Sequence, residues 1–320
     1  MRLTKKTAIL LSVLLVLGVA ISFIALIMCG FDFATFNIDK YEEKTYEIVD
    51  DFKNITINAS TADIAFYTAE DGKCKVVCDE SEKTVYNVGV QDGRLDIILN
   101  DGRKWYDNLR LLDFSDPKIA VYLPKNVYNA LKIESDTGDI NVNSGFVFED
   151  LIVNASTGDV NVGAIVNGEL SIKLSTGNIN ANGIKANKTA FRVSTGDVLV
   201  KDAEIIGDLL VTVSTGKTVL ENVTCNNFTS SGSTGDITLN NVIIAERMNI
   251  ERSTGGVKFV GSDAGEINIK TSTGDVEGSL LTDKFFIVNT STGNINVPET
   301  VSESKCRITT STGNITIKIG

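Results

Sequence analysis

Residues 151–198 read LIVNASTGDVNVGAIVNGELSIKLSTGNINANGIKANKTAFRVSTGDV and contain successive copies of one short unit. The Thr-Gly pair of this unit recurs ten times along the chain, at intervals of 19 or 20 residues. The glycines are Gly138, Gly158, Gly177, Gly196, Gly216, Gly235, Gly255, Gly274, Gly293 and Gly313. A fixed period of this length indicates stacked structural repeats.

Apolar and polar residues alternate on the approach to each Thr-Gly pair. Counting from the Thr, the positions six and four residues earlier are almost wholly apolar, as in Leu151 and Val153. This period of two predicts a half-buried strand. After the glycine the apolar positions lie three and five residues past the Thr, as in Val160 and Val162. The change of parity predicts a corner at the glycine, and we expect Thr157 and its equivalents to point into that corner.

A third, weaker apolar column lies eight residues past the Thr and includes Ile165, Ile184 and Leu281. Each repeat is therefore predicted to be one coil of an all-β, single-chain β-solenoid with Ser-Thr-Gly-Asp/Asn corners. Coils stack at the strand spacing of about 4.8 Å, so ten coils would make a rod of roughly 45–50 Å. The handedness stays open. Leucine-rich repeats, calcium-binding nonapeptide repeats and propeller blades need motifs or periods that this chain lacks.

A signal-anchor helix is predicted to precede the solenoid. Residues 7–29 carry no charge, and about 20 apolar residues can span a bilayer. Basic residues come before this segment, so we expect a single-pass cell-membrane protein with a cytoplasmic N-terminus and an extracellular repeat domain. A cleaved signal peptide stays an alternative, and a lipoprotein at Cys29 is disfavoured by Met28, where a small residue is needed.

The sequence suggests five regions. They are a cytoplasmic N-terminus at 1–6, the transmembrane helix at 7–29, a juxtamembrane spacer at 30–50, an N-terminal β region and cap at 51–130, and the regular solenoid at 131–320. Within the cap, Ser60-Thr61-Ala62 resembles a degenerate first corner. Residues 100–117 are the least repetitive stretch, and their aromatic side chains are candidate partner-binding residues or packing residues of the cap. They are Trp105, Tyr106 and Phe114.

Composition restricts the possible chemistry. The chain has a net charge of −11, whereas nucleic-acid binding needs basic surface. It has no His, so a His-based triad or general base is excluded, and zinc binding is disfavoured. We interpret its five cysteines as small buried residues. We expect no cofactor, although it stays open whether turn carboxylates such as Asp139 and Asp159 share a calcium ion, since Asp also favours turns.

A family resemblance appears in the segment KIAVYLPKNVYNALKIESDTGDINV at 118–142, followed by the serial STGD and STGN motifs. Together they resemble the DUF4097 family of adhesin-like bacterial envelope proteins, over roughly residues 50–320. The resemblance implies a β-strand-repeat solenoid with no catalytic motif. Some members of the family resemble surface proteins linked to cell-envelope stress and antimicrobial-peptide resistance in Gram-positive bacteria. The chain departs from the repeat at Lys217, Gly256, Gly232 and Arg252.

These observations predict a membrane-anchored cell-surface protein that is not an enzyme. Its expected role is adhesin-like binding or envelope-stress sensing, and its partner would be an unknown envelope component or a membrane protein. The alternative is an inert structural scaffold or spacer of the cell envelope. A polysaccharide-active solenoid enzyme, using turn carboxylates, is a further alternative.

Overall fold

The computed structural model of the protein describes residues 13–21, 24, 27, 41–102 and 117–320. Its strands form a β-solenoid of about ten turns, which confirms the all-β prediction. The strands, β1 to β24 in chain order, are Glu42–Ile48, Asn54–Thr61, Asp63–Thr68, Cys74–Glu80, Thr84–Gln91, Arg94–Asp101, Lys118–Leu123, Val127–Thr137, Ile140–Val142, Val147–Thr157, Val160–Val162, Ile165–Thr176, Ile179–Asn182, Lys185–Thr195, Val198–Ile205, Asp208–Thr215, Thr218–Thr234, Ile237–Thr254, Val257–Thr273, Val276–Leu280, Phe285–Thr292, Ile295–Asn296, Lys305–Thr312 and Ile315–Ile319.

Neighbouring coils pair in parallel with their corners in register. The strand segments that lead into corners stack in the order β2, β8, β10, β12, β14, β16, β17, β18 and β19. Thr157, for example, lies opposite Thr137 on one side and Thr176 on the other. Thr61 lies opposite Thr137 as well, so the segment containing Ala62 forms the first corner. The Thr61 corner and the ten Thr-Gly corners together span about 48 Å.

The core is a continuous column inside the coils. Both main apolar columns are buried along the internal coils, with Val153 and Val160 as typical members. The third column is less regular, because Ile184 is buried whereas Ile165 and Leu281 are exposed. Ala164 takes the inward place of Ile165.

The corner geometry corrects the expectation for the Thr column. Ser156 and Thr157 are both exposed, as are their equivalents in the other Thr-Gly corners, so the parity breaks before the glycine rather than after it. Gly158 has a φ of 123°, and a Cβ on it would lie 2.2 Å from the carbonyl oxygen of Gly138 in the next coil. Glycine is therefore required both by backbone conformation and by the close approach of stacked corners.

One end of the rod, here called the closed end, is covered by antiparallel strands. The edge of the first coil continues from β3 to β7, then β4 and finally β1, and the last two pairings are antiparallel. On the adjoining side β2 pairs with β6, and β6 pairs antiparallel with β5. These strands leave the solenoid period and cap its first coil, as an exposed solenoid end requires.

The other end, here called the open end, does not follow chain order. Strand β19 pairs with β23, and β23 pairs with β21 on its other edge. Likewise β20 pairs with β24, and β24 with β22. The last coil of the sequence is therefore inserted beneath the one before it, and β21–β22 form the outermost coil. Lys284, just before β21, is buried with its Nζ 2.6 Å from Asp263 Oδ1.

The prediction of a membrane anchor is corrected by the structure. In the described part of the chain, no helix is long and apolar enough to cross a membrane. The expectation of a single-pass membrane protein was therefore wrong.

Candidate binding pocket

A pocket of about 400 Å³ lies at the closed end. Four connected pieces of backbone wall it: the end of β1, the loop from β1 to β2, the turn from β3 to β4, and the loop from β7 to β8. Its volume is within the range of about 300–1,000 Å³ that is typical of small-molecule sites. The cap strands thus do more than cover the first coil, because their connections enclose a concave surface.

The rim of this pocket is charged and mostly acidic. Four carboxylates and two ammonium groups line it, giving a formal charge of −2 from four minus two opposite charges: Glu47, Asp50, Asp51, Asp71, Lys73 and Lys75. All six residues are exposed. Asp71 Oδ1 accepts a hydrogen bond from Lys73 N at 3.0 Å, and Gly72 between them has a φ of 71°. The β3–β4 side of the rim is therefore a fixed turn.

The wall of the pocket is aromatic and anchored to the core. Phe52 stacks on Tyr128 with ring centroids 5.8 Å apart, and Tyr128 lies 5.9 Å from Phe148 inside the solenoid. The Tyr128 hydroxyl donates a hydrogen bond to the Pro124 carbonyl oxygen at 2.8 Å. Burial raises the pKa of Tyr128, so the phenol stays protonated. The apolar wall is therefore preformed.

The thiol of Cys74 lines the pocket but is unreactive at neutral pH. Cys74 is buried, and burial raises its pKa to about 12. Burial raises the thiol pKa values of Cys78, Cys225 and Cys306 to about 12 as well. Because the thiolate is the nucleophile and the metal ligand, these groups are inert at neutral pH. Their burial agrees with the interpretation of the cysteines as small core residues.

A polar cluster beside the pocket fastens β1 to the cap. Glu80 is buried and accepts hydrogen bonds from the hydroxyl of Tyr46 and, at 2.9 Å, from Tyr86 N. Lys44 Nζ lies 3.3 Å from the other oxygen of Glu80. Burial, more than the Glu80 hydrogen bond, raises the pKa of Tyr46. The Glu80 carboxylate is thus used to hold β1, the strand that supplies one wall of the pocket.

The corner carboxylates, considered as catalytic groups or calcium ligands, are used in bonds between coils. Asp139 Oδ1 accepts from Asp159 N at 2.7 Å, and Asp159 Oδ1 accepts from Asn178 N at 2.8 Å. Lys217 and Gly256 interrupt this ladder because neither has a side-chain acceptor. Over the described ranges, no group of three or more Cys, Asp or Glu residues is arranged to hold a metal ion.

The two other irregular positions, Gly232 and Arg252, lie opposite each other in neighbouring coils. Arg252 is buried, and its guanidinium reaches across two coils to the Val213 carbonyl oxygen at 2.9 Å. It also donates to the hydroxyls of Thr218 and Ser230 at 3.1 and 3.2 Å. Gly232 lies opposite Arg252 in the ladder, and a Cβ on Gly232 would lie 1.7 Å from Nη1. The guanidinium occupies the space that a side chain at position 232 would need. Burial of the guanidinium lowers the pKa of Arg252.

The sequence did not identify the pocket. The predicted partner-binding residues Trp105, Tyr106 and Phe114 lie outside the described residues. The pocket residues come from three separated segments between 47 and 128. Asp71-Gly72 is a common turn dipeptide, but only the fold brings this turn beside Phe52.

In-register corners and a strand-covered end define the class of this protein as a capped β-solenoid. A family model described as "Toastrack DUF4097" matches residues 52–212 and 201–320. The chain therefore belongs to the DUF4097 family, which confirms the resemblance seen in the sequence.

Several solved structures are similar over most of the chain. A "putative adhesin" from Bacteroides fragilis is 17% identical, with 87% of this chain and 97% of that chain covered and a TM-score of 0.36. A "putative adhesin" from Parabacteroides distasonis is 14% identical, with 88% and 98% covered and a TM-score of 0.43. A "Putative lipid binding protein" from the same organism is also 14% identical, with 87% and 97% covered and a TM-score of 0.38. At these values none supports an inference about function. A comparison with curated proteins found no match.

Proposed function

We propose that this chain is a non-catalytic, adhesin-like binding module of the bacterial cell surface, and that the pocket at the closed end is its binding site. The observation that carries the proposal is the combination of an acidic rim with an anchored apolar wall in one cavity of about 400 Å³. Small ligand sites commonly combine a mainly apolar lining with a few placed polar groups.

The chemistry of the lining selects a class of ligand. Asp50 and Asp51 stand on the loop that also presents Phe52. A ligand with a cationic group next to an apolar group would place the charge near these carboxylates and the apolar part on the Phe52–Tyr128 wall. We therefore expect a cationic amphiphile, such as a segment of basic peptide, rather than an anionic wall polymer. Binding of such a compound would also suit the envelope-stress sensing role.

The proposal treats the protein as a binder rather than an enzyme because its candidate catalytic groups have other uses. The corner carboxylates Asp139 and Asp159 accept hydrogen bonds from neighbouring coils. The described thiols have pKa values raised to about 12. Membership of the DUF4097 family agrees with a binding role.

An inert scaffold or spacer of the envelope is the second candidate. The observation in its favour is that most of the rod consists of coils whose corner Asp and Asn side chains are hydrogen-bonded to the next coil. A spacer needs only this regular stack. It gives no reason for a charged pocket at one end, so the pocket separates the two candidates.

The test is a binding assay with the full chain. The probes are purified wall polymer, phospholipid vesicles and a cationic amphipathic peptide, each titrated separately. We expect saturable binding of the peptide, weakened about tenfold by the double variant Asp50→Asn and Asp51→Asn, a loss of about 1.4 kcal/mol.

The matched control replaces two exposed acids on the side of the rod, Asp136→Asn and Glu246→Gln, with the same change in net charge. Equal weakening by the control would mean that binding follows total charge and would remove the pocket from the proposal. Saturation with no probe, by a protein shown to be folded, would favour the scaffold.

A further inference from the structure

The outermost coil at the open end leaves core-type side chains uncovered. Ile295 of β22 is 47% exposed, whereas Ile140 and Ile315 in the same column are 0% exposed. Phe286 and Val288 of β21 occupy columns that are buried in the other coils, yet both are only half-buried. The outermost coil has therefore kept the residues of an internal coil, although a terminal repeat normally carries a polar outer face.

Strand β21 is also apolar at the outward position of Phe285, where most other coils have a charged residue. Its sequence, FFIVNTST, contains no charged residue. Phe285 and Ile287 point outward and are 49% and 39% exposed. In the position of Phe285, the two coils beneath it have Lys305 and Glu266. A strand that is apolar on both faces is typical of a sheet interior rather than of an edge.

The backbone of this strand is open along its outer edge. Within the described ranges, β21 pairs only with β23, and β22 pairs only with β24. Natural proteins protect such edges with charges, prolines, bulges or a covering element. Strand β21 has neither a charged residue nor a proline among its eight residues, and no described strand covers it. Both its side chains and its backbone are thus suited to pairing with a further strand.

We infer that the open end is an interface between two copies of this chain, joined by antiparallel pairing of β21 with β21 of the second copy. Head-to-tail stacking is disfavoured, because antiparallel strands cover the first coil at the other end and the edge strand β1 carries Glu42, Glu43, Lys44 and Glu47. Like end then meets like end, and a two-fold axis makes that pairing antiparallel and closed.

Charge supports a second copy as the occupant. Two copies of a chain with a net charge of −11 repel each other over most of their surface. Strands β21 and β22 carry no charge, so this end is where two copies can approach without direct repulsion between facing side chains. A strongly basic partner would instead find no carboxylate on these strands to recognise.

The assembly has a consequence for binding. The pocket lies at the closed end, so a dimer joined at the open ends would carry its two pockets at opposite tips of a rod of about twice the length. Linked sites of this kind raise the overall avidity for a surface that presents many ligands.

The first test measures the mass of the full chain by light scattering across a concentration series. We expect a monomer–dimer equilibrium, and we expect the double variant Phe285→Lys and Ile287→Lys to shift the dissociation constant upward at least about 100-fold. The matched control is Asn227→Lys and Thr229→Lys, which places the same charges at the same positions of an internal coil and should leave the dimer intact.

A second test fixes the geometry by cysteine cross-linking. Asn289 lies near the middle of β21, where a two-fold axis brings a residue close to its own copy. Asn289→Cys should form a disulfide-linked dimer, and Asn154→Cys, the equivalent position in an internal coil, should not. A monomer at all concentrations would overturn the inference. So would assembly that persists in the Phe285→Lys and Ile287→Lys variant, growth beyond two copies, or equal cross-linking of both cysteine variants.

Discussion

The two ends of this rod terminate the stack of coils in opposite ways. At the closed end, the chain leaves the repeat and covers the first coil with β1 and β4 to β7. At the open end, the outermost coil keeps the repeat pattern, and Ile295 is 47% exposed. A stack of coils must terminate somewhere, and each exposed coil has unsatisfied edges. One end is therefore covered by strands of the same chain, whereas the other keeps the residue pattern of an internal coil.

The comparison extends from packing to function. The covering strands at the closed end have connections of irregular sequence, and these connections create the pocket between Asp50 and Tyr128. The open end instead offers an uncharged strand, β21. We therefore assign ligand binding to the first end and self-association to the second, each as a separate proposal.

The largest expected effect comes from alkaline pH. Burial raises the pKa of Cys78 and of Cys306 from 9.0 to about 12. A raised pKa contributes stability below pH 9 that is lost as the pH rises from 9 towards 12, because the unfolded thiols ionise first. With one such thiol near each end, we expect the free energy of unfolding to fall by roughly several kcal/mol over this window.

Urea denaturation at pH 8 and pH 10.5 measures this loss, and Cys78→Ala and Cys306→Ala should each reduce the pH dependence. The closed and open ends can then be compared through thiol modification under native conditions. Cys306 should react faster, because β21, which lies between it and the open edge, has only half-buried core residues, whereas β1, which lies over Cys78, is fastened by Glu80. Equal rates would remove the predicted difference in local opening.

Glycine substitution gives the next largest effect. Gly196 has a φ of 135°, and an added Cβ would lie 2.0 Å from the Gly177 carbonyl oxygen. We expect Gly196→Ala to lower the free energy of unfolding by roughly 3–5 kcal/mol, since the coils on both sides must move. Gly293→Ala, at the same position of the outermost coil, should instead loosen mainly that coil, because a solenoid unit contacts only its neighbours.

Chemical denaturation compares these two variants directly. Equal losses would mean that the outermost coil is as tightly coupled to the stack as an internal one, and the comparison of the two ends would then fail.

Core truncation within one column gives an intermediate effect. Ile140 is fully buried and Ile295 is 47% exposed. We expect Ile140→Ala to cost about 2–4 kcal/mol, and Ile295→Ala to cost less than about 1 kcal/mol in the monomer. The cost of Ile295→Ala should increase at protein concentrations that favour the dimer, which urea denaturation at two concentrations would show. A cost for Ile295→Ala that matches Ile140→Ala in the dilute monomer would contradict this account.

The corner side chains give the smallest effect. Asp197 Oδ1 accepts a hydrogen bond from Lys217 N at 2.7 Å. Removing it by Asp197→Ala should cost about 1–2 kcal/mol, since the amide loses its acceptor. Asn294→Ala should be nearly neutral, because the outermost coil has no further described coil to donate to its side chain. Thermal unfolding of both variants checks this, and a clear loss for Asn294→Ala would imply a partner beyond that coil.

The sequence predicted the coils well because each coil repeats the same local pattern of residues. Alternation before the corner and glycine at the corner are properties of single coils. The outward position of Thr157 was missed because parity alone does not say where a bend begins. The order of the last coils could not be predicted, since Thr292 and Thr312 stand in identical STGN corners. That order brings together residues that are distant in sequence, such as buried Lys284 and Asp263.

Amide hydrogen exchange of the full chain at low and high protein concentration tests the contrast between the two ends most directly. The account predicts slow exchange in β4, β7 and the internal coils at both concentrations. It predicts fast exchange in β21 and β22 when the protein is dilute, with protection gained when it is concentrated. Protection of β21 equal to that of β4 in dilute solution, or exchange in β21 that stays fast at every concentration, would contradict it.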